Sequence, residues 1–217
     1  AGSLLIMAGC DKSKDTGQPK PIDTMDTQAA PPGDGVLVDD LSMPLEPTLS
    51  ASDFNSAADC ENCHPEHHEQ WKTSGHAYAM VDPIFRGLTT VRQLHLEGTE
   101  DLFCTQCHSA IGSRGGDILP GYQFDALAPM TLEGITCESC HKVSEIARPY
   151  NSGHVLDGKG PIRGPIEDPE ESTYHGPDGL EYSPIFDSSE FCAGCHDLIE
   201  TGGLPLERPY EEWITSP

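Results

Sequence analysis

The sequence predicts a mainly α fold with much irregular loop, in which short helices surround an interior poor in large side chains. Of the 217 residues, 36% are hydrophobic and 6% are aromatic, which is little material for an ordinary core. The 22 glycines and 19 prolines favour turns and interrupt regular elements. Large sheets are not expected, and something other than leucine and phenylalanine must fill the interior.

Two helices are predicted in the first half of the chain. Pro65 suits the first position of a helix, and the helical pattern continues over Glu66–Met80 with an interruption at Gly75. The next helix is predicted from about Pro83 to Glu97. Its apolar residues recur at helical spacing, at Ile84, Leu88, Val91, and Leu94 or His95.

Later segments predict shorter elements. Short helices are expected over Cys137–Val143 and Ser188–Ile199. The glycine-rich stretch Gly112–Asp117 is predicted as a turn-rich loop. It lacks the spacing of a phosphate-binding loop, so it carries no nucleotide-binding prediction.

The charge balance excludes several classes of protein. There are 36 Asp and Glu residues against 12 Lys and Arg, a formal net charge of −24. Such a surface repels nucleic-acid phosphates and anionic lipid headgroups, so no nucleic-acid partner is expected. It attracts redox partner proteins with basic docking surfaces. No apolar run reaches the roughly 18 residues that a membrane-spanning helix needs.

Eight of the nine cysteines fall into four copies of the pattern Cys-x-x-Cys-His. This pattern attaches c-type haem, because two thiols one turn apart can form thioethers with both porphyrin vinyl groups. The adjacent histidine is then the proximal iron ligand. Motifs 1 to 4 comprise Cys60, Cys63 and His64; Cys104, Cys107 and His108; Cys137, Cys140 and His141; and Cys192, Cys195 and His196.

Two other uses of paired cysteines are less favoured. Two Cys-x-x-Cys pairs would build one tetrahedral zinc site and would not require a histidine after every second cysteine. A disulfide framework also leaves the four histidines unexplained. The sequence therefore predicts four covalently bound haems c, and the porphyrins themselves form the core of the fold.

The remaining histidines are candidates for the sixth ligand of each iron. The distal candidates are His76, His95, His154 and His175. His67 and His68 lie just after His64, where a solvated helix face is at least as good an interpretation. Met80 and Met130 could also ligate iron, but core packing is the favoured interpretation. Iron with two histidine ligands is coordinatively saturated, which suits electron transfer and opposes substrate binding.

The start of the chain predicts export. Residues 1–9 are interpreted as the remnant of a lipoprotein signal peptide, because Met7-Ala8-Gly9 precedes Cys10 as in a bacterial lipobox. An ordinary cleavable signal is the alternative, and both export the chain. Residues 10–52 are then a lipidated, disordered tether rich in Pro and Asp. Residues 53–217 form the predicted tetrahaem domain, near 40 residues per haem.

A family resemblance rests on the motifs and their surroundings. It is carried by Cys60-Glu-Asn-Cys63-His64-Pro65 with Gln70-Trp71, Ser74 and His76, by Cys104–His108, by Gly134-Ile-Thr-Cys137-Glu-Ser-Cys140-His141, and by Ser188-Ser-Glu-Phe-Cys192-Ala-Gly-Cys195-His196-Asp197. Together these resemble the bacterial multihaem cytochromes c of the cytochrome c554-related group over roughly residues 58–217. The resemblance implies a mostly helical, haem-packed fold with closely stacked haem pairs, and electron transfer as the common role. It also supports His76 and His175 as distal ligands.

The end of the sequence departs from that group. In similar proteins a segment like Pro205–Pro217 leads into a further haem-binding motif, but this sequence stops there. Together with the missing initiator methionine, this predicts a sequence clipped at both ends. The native protein is then expected to carry five or more haems.

Three functions follow as hypotheses. The leading one is a lipid-tethered carrier that relays electrons between a membrane donor and a periplasmic or cell-surface acceptor, rather than an enzyme. The alternative is the N-terminal portion of a larger multihaem oxidoreductase that reduces nitrogen or sulfur oxyanions at an open haem. The third is a subunit of an extracellular cytochrome polymer, which a lipid anchor disfavours.

Overall fold

The computed structural model describes residues 49–95, 102–170, 172–200 and 203–217. Cys10, residues 1–9 and most of the predicted tether lie outside these ranges. The described ranges contain ten α-helices: α1 (Ala57–Glu61), α2 (Pro65–Lys72), α3 (Gly75–Tyr78), α4 (Pro83–His95), α5 (Leu102–His108), α6 (Ala110–Arg114), α7 (Pro129–Leu132), α8 (Cys137–His141), α9 (Glu190–His196) and α10 (Pro209–Thr215). Short helices joined by irregular chain confirm the predicted fold class. No helix within these ranges has the length and apolar character to cross a bilayer.

Local sequence signals set the helix ends in the first motif region. Ser56 and Asp59 form a reciprocal capping box that starts α1. Pro65 opens α2 as predicted, and the break before Gly75 is confirmed, because α2 ends at Lys72. The Ser74 hydroxyl then accepts from the Ala77 amide and starts α3.

Helix α4 confirms the predicted second helix, and its recurring apolar residues face outward. The Asp82 carboxylate accepts from the amides of Ile84 and Phe85 and caps its start. Phe85 turns inward and packs against the core, and Thr89 is buried beside it. The recurring apolar residues lie on the exposed side instead, at Ile84, Leu88, Val91 and Leu94.

Two small clusters replace a single large core. The first consists of Phe54, Ala110, Ile111, Val143 and Leu156, with Met130 packed against it. The second consists of Met80, Leu102, Ile118, Tyr122 and Leu127. Met80 is fully buried, which agrees with its predicted packing role. Clusters this small match the scarcity of large apolar side chains in the sequence.

Six short strands form three two-stranded sheets in the described ranges. They are β1 (Val143–Ile146) with β2 (His154–Leu156), antiparallel; β3 (Ile162–Gly164) with β4 (Leu180–Tyr182), parallel; and β5 (Leu198–Ile199) with β6 (Pro205–Glu207), antiparallel. The β3–β4 pair brings together the two ends of the segment that carries a 3₁₀ turn over Thr173–His175. Large sheets are absent from the described chain, as predicted.

The strands shorten two predicted helices. α8 stops at His141 because β1 begins at Val143, and α9 stops at His196 because β5 begins at Leu198. The prediction of a loop over Gly112–Asp117 is wrong for its first half, since α6 continues to Arg114. Gly112 is retained there because an added Cβ would collide with Thr131, Ser109 and Ile118.

Candidate haem centres

Each Cys-x-x-Cys-His motif occupies about one helical turn. Motifs 2, 3 and 4 close α5, α8 and α9, so that His108, His141 and His196 are the last residues of their helices. Motif 1 crosses the end of α1, where the His64 amide donates to the Cys60 carbonyl oxygen over 2.8 Å and continues the turn. Residues three apart share a helix face, so each motif presents two thiols together.

The motifs lie in two pairs that interleave along the chain. Cys60 of motif 1 interacts with Cys137 of motif 3, and Cys107 of motif 2 interacts with Cys195 of motif 4. We call these the 1/3 pair and the 2/4 pair. In the thiol form, the hydrogen bond from Cys60 lowers the pKa of Cys137 to about 7 and raises the pKa of Cys60. Hydrogen bonding in the 2/4 pair likewise lowers the pKa of Cys107 and raises that of Cys195.

Two histidine pairs face each other across gaps of equal size. The ring centroids of His64 and His175 are 6.1 Å apart, and those of His76 and His196 are also 6.1 Å apart. Burial is the main cause that lowers the pKa of both His76 and His175, and nearby imidazoles add to it. A low pKa favours the neutral imidazole, which is the form that binds a metal.

The donor set fits haem c. A metal–nitrogen bond of about 2 Å on each side, plus the radius of each imidazole, separates two axial ring centroids by roughly 6 Å. Both observed separations match that span. The Nδ1 atom of His175 is buried without a hydrogen-bond partner, so protein contacts alone do not satisfy this ring. Haem held by these residues would supply one-electron chemistry at iron.

Backbone carbonyls orient the other two proximal histidines. The Nδ1 atom of His108 lies 3.0 Å from the Ala79 carbonyl oxygen, and that of His141 lies 2.6 Å from the Arg163 carbonyl oxygen. A carbonyl acceptor at Nδ1 places the proton there and leaves Nε2 free to bind iron. Both rings stack on phenylalanines, namely His108 on Phe85 at 3.9 Å and His141 on Phe186 at 5.4 Å.

Comparison with known proteins points the same way. Residues 59–142 match the family model described as cytochrome c554 and c-prime. Cytochrome c-554 of Nitrosomonas europaea is 26% identical over 149 residues, which cover 66% of this chain and 57% of that protein. The chain is thus similar to the multihaem cytochromes c of the cytochrome c554-related group.

A solved structure shares the fold of this chain. The penta-haem cytochrome c552 from Thermochromatium tepidum superposes with a TM-score of 0.54 at 22% identity, over 75% of this chain and 51% of that one. The chain therefore spans about half to three-fifths of the length of these relatives.

Two further histidines of the chain lie in different surroundings. The Nε2 atom of His154 is 2.6 Å from the Phe191 carbonyl oxygen, and its Nδ1 atom is 3.6 Å from the Cys195 sulfur. His95 is exposed at the end of α4. Their assignment as distal ligands stays a prediction. His67 lies edge-on to His64, and His68 pairs with Glu61 at 3.4 Å.

Sequence reasoning missed two buried charges beside the motifs. Glu138 and Arg114 are each 4% exposed. Glu138 stands inside motif 3, where one of many acidic residues gave no distinguishing signal. Arg114 was hidden in the stretch predicted as loop. A charged residue between two motif cysteines, and one of only six arginines in an acidic chain, are the signals that could have singled them out.

Proposed function

We propose that this cytochrome relays electrons through four covalently attached haems c, between a membrane donor and a periplasmic or cell-surface acceptor. The supporting observation is the pair of 6.1 Å gaps between facing imidazoles. Two imidazoles on one iron leave no position for a substrate, and such sites exchange electrons without changing ligands. The chain then acts as a carrier rather than an enzyme.

Each set of cysteines and histidines has its own proposed role. The eight motif cysteines attach the porphyrins, and the four motif histidines are the proximal ligands. His175 would complete the iron of motif 1 and His76 the iron of motif 4. His95 and His154 remain the distal candidates for motifs 2 and 3.

The interleaved motif pairs support a relay. Because Cys60 interacts with Cys137 and Cys107 with Cys195, the porphyrins attached to each pair would be close neighbours. Arg114 bridges toward both members of the 2/4 pair. Short gaps between neighbouring porphyrins are what a chain of one-electron steps requires.

Charge and export define the expected partners. A net charge of −24 steers basic redox proteins toward the surface and repels acidic ones. We place the haem domain at residues 53–217 and the tether at residues 10–52. Lipidation at Cys10, after removal of residues 1–9, would anchor the protein to a membrane and face it to the periplasm or the cell surface.

Optical spectroscopy of the full chain, matured with haem in an exporting host, tests the proposed function. Intact mass should show four haem additions. The spectra should be wholly low-spin, and carbon monoxide should leave the dithionite-reduced spectrum unchanged. A different haem count, or carbon monoxide binding to one haem in four, contradicts the saturated relay.

One observation favours an oxidoreductase with an open haem as a second candidate function. His108 and His141 stack on Phe85 and Phe186, whereas the other two proximal histidines face histidine rings. Nitrogen or sulfur oxyanions would be the substrate class, and the chain would be the N-terminal portion of a larger enzyme. This candidate would be supported if the unmodified protein binds carbon monoxide and if the binding persists in both His76→Ala and His175→Ala.

A further inference from the structure

Two buried groups of opposite charge lie beside the two motif pairs. We propose that Arg114 raises the reduction potentials of the haems on the 2/4 pair, that Glu138 and Glu133 lower those on the 1/3 pair, and that electrons therefore pass from the 1/3 pair to the 2/4 pair. This direction rests on the proposed relay through four haems.

Arg114 is fixed between motifs 2 and 4. Its guanidinium donates to the Ser152 hydroxyl over 2.9 Å and to the His154 carbonyl oxygen. The Ser152 hydroxyl donates in turn to the carbonyl oxygen of Gln106, next to Cys107, over 2.7 Å. The His154 ring contacts Cys195. Arg114 is therefore connected to motif 2 through Ser152 and to motif 4 through His154.

The charge of Arg114 is not cancelled by a carboxylate. Its hydrogen bonds in the described chain end on neutral oxygens, of Ser152 and His154. Arg148 is near enough to act on it electrostatically and adds a second positive charge. Asp197, which follows motif 4, is buried but paired with Arg208, so that pair contributes little net charge.

The 1/3 pair has the opposite environment. Both carboxylate oxygens of Glu138 accept from Asn55, its amide and its side-chain nitrogen, each over 2.8 Å. Glu133 accepts from the Ser56 hydroxyl and from the Ala57 amide over 2.9 Å. These donors are uncharged, so two negative charges stay uncompensated at the start of α1 and within α8.

One buried cation also lies near motif 3. Lys142 is 7% exposed, and its ammonium donates to the Gly160 carbonyl oxygen. Among the ion pairs of the described ranges, none joins Lys142 to Glu138 or Glu133. The 1/3 pair therefore keeps a net negative surrounding, with two carboxylates against one ammonium.

Charge sets potential because reduction adds one electron to iron. A buried positive charge stabilises the reduced form and a buried negative charge the oxidised form, and low polarity strengthens both effects. Each step moves one electron, which leaves a ferrous iron of the 1/3 pair and reduces a ferric iron of the 2/4 pair. Redox partner proteins supply the first electron and accept the last.

Potentiometric titration of the fully haem-loaded chain tests this assignment. Arg114→Gln should lower the two highest potentials, and Glu138→Gln should raise the two lowest. The expected change is on the order of tenfold in the ratio of reduced to oxidised haem, about 59 mV for a one-electron couple. Arg114→Lys keeps the charge and should keep the potentials. Lys72→Gln, a change at an exposed cation paired with Glu69, is the matched control.

The outcomes separate this inference from the proposed function. Four low-spin haems whose potentials do not move in either variant, or move in the opposite sense, overturn the direction while the relay stands. A haem count other than four overturns the relay first. If Arg114→Gln fails to load haem, the Glu138→Gln titration decides alone. An upward shift of the two lowest reduction potentials supports the assignment, and the absence of a shift overturns it.

Discussion

His76 and His196 face each other at a centroid separation of 6.1 Å, although one precedes motif 2 and the other closes motif 4. The contact joins α3, near the start of the described chain, to the end of α9. A fold that brings two imidazole rings to this distance matches the span that the proposed iron between them would require.

We expect His76→Ala to open one iron. The facing imidazole is removed while the motif 4 cysteines still attach the porphyrin, so one haem in four should become high-spin and bind carbon monoxide. His175→Ala should do the same at motif 1, and the double variant should open two haems. Electron paramagnetic resonance and carbon monoxide difference spectra measure this.

His67→Ala is the control for both ligand variants. His67 is exposed and lies edge-on to His64, 5.9 Å away, and it should leave the spin state unchanged. Low-spin spectra that survive in the double variant would argue against these two ligand pairs.

Gly194→Ala should destabilise motif 4. An added Cβ at Gly194 meets the ring of His154 directly, so the ring or α9 must shift. Overpacking of this kind costs about 1–3 kcal/mol in the free energy of unfolding.

Gly87→Ala in α4 is the matched control for Gly194→Ala, because nothing lies within 4 Å of its Cβ position. That variant should gain about 0.5–1 kcal/mol, and equal denaturation midpoints for the two variants would be inconsistent with the packing of His154.

Acid should destabilise the fold through His154 if its ring keeps the contact with the Phe191 carbonyl oxygen and does not ligate iron. Burial is the main cause that lowers the pKa of this imidazole below 6.5. As the pH falls below 6.5 the unfolded chain therefore binds a proton before the folded chain does, and the free energy of unfolding decreases until the folded pKa is passed. His154→Gln can still donate to the Phe191 carbonyl oxygen and should flatten this slope. Thermal unfolding between about pH 7.5 and 5 measures it, and identical slopes would refute the assignment.

Electron exchange with a basic redox protein should slow as salt increases. The net charge of −24 acts over a screening length of about 30 Å at 0.01 M salt but only about 8 Å at 0.15 M. We expect the second-order rate constant to fall roughly tenfold or more over this range. Stopped-flow mixing measures it, with an acidic redox protein as the control, for which the rate should rise instead.

From the sequence, the residues that attach haem can be predicted better than the spatial arrangement of the histidines. Four short motifs identify the cysteines and proximal histidines because thioether chemistry imposes a fixed local spacing. Which histidine faces which motif depends on contacts between distant parts of the chain, so His76 could be singled out but not assigned to motif 4. The apolar spacing of α4 likewise defines a face of the helix but does not say which neighbour that face meets. Arg114 matters through its surroundings, which no local pattern records.

The interleaved order of the motif pairs also bears on biogenesis. If the chain is exported as proposed, its N-terminus emerges first, so motif 1 leaves the membrane well before motif 3, whose flanking carboxylates hold α1 in place. Motif 2 likewise emerges before motif 4, its partner in the 2/4 pair. Contacts of such wide sequence separation form late and slowly. Haem ligation machinery therefore meets an extended, accessible chain at each motif, and compaction follows once the last one has passed.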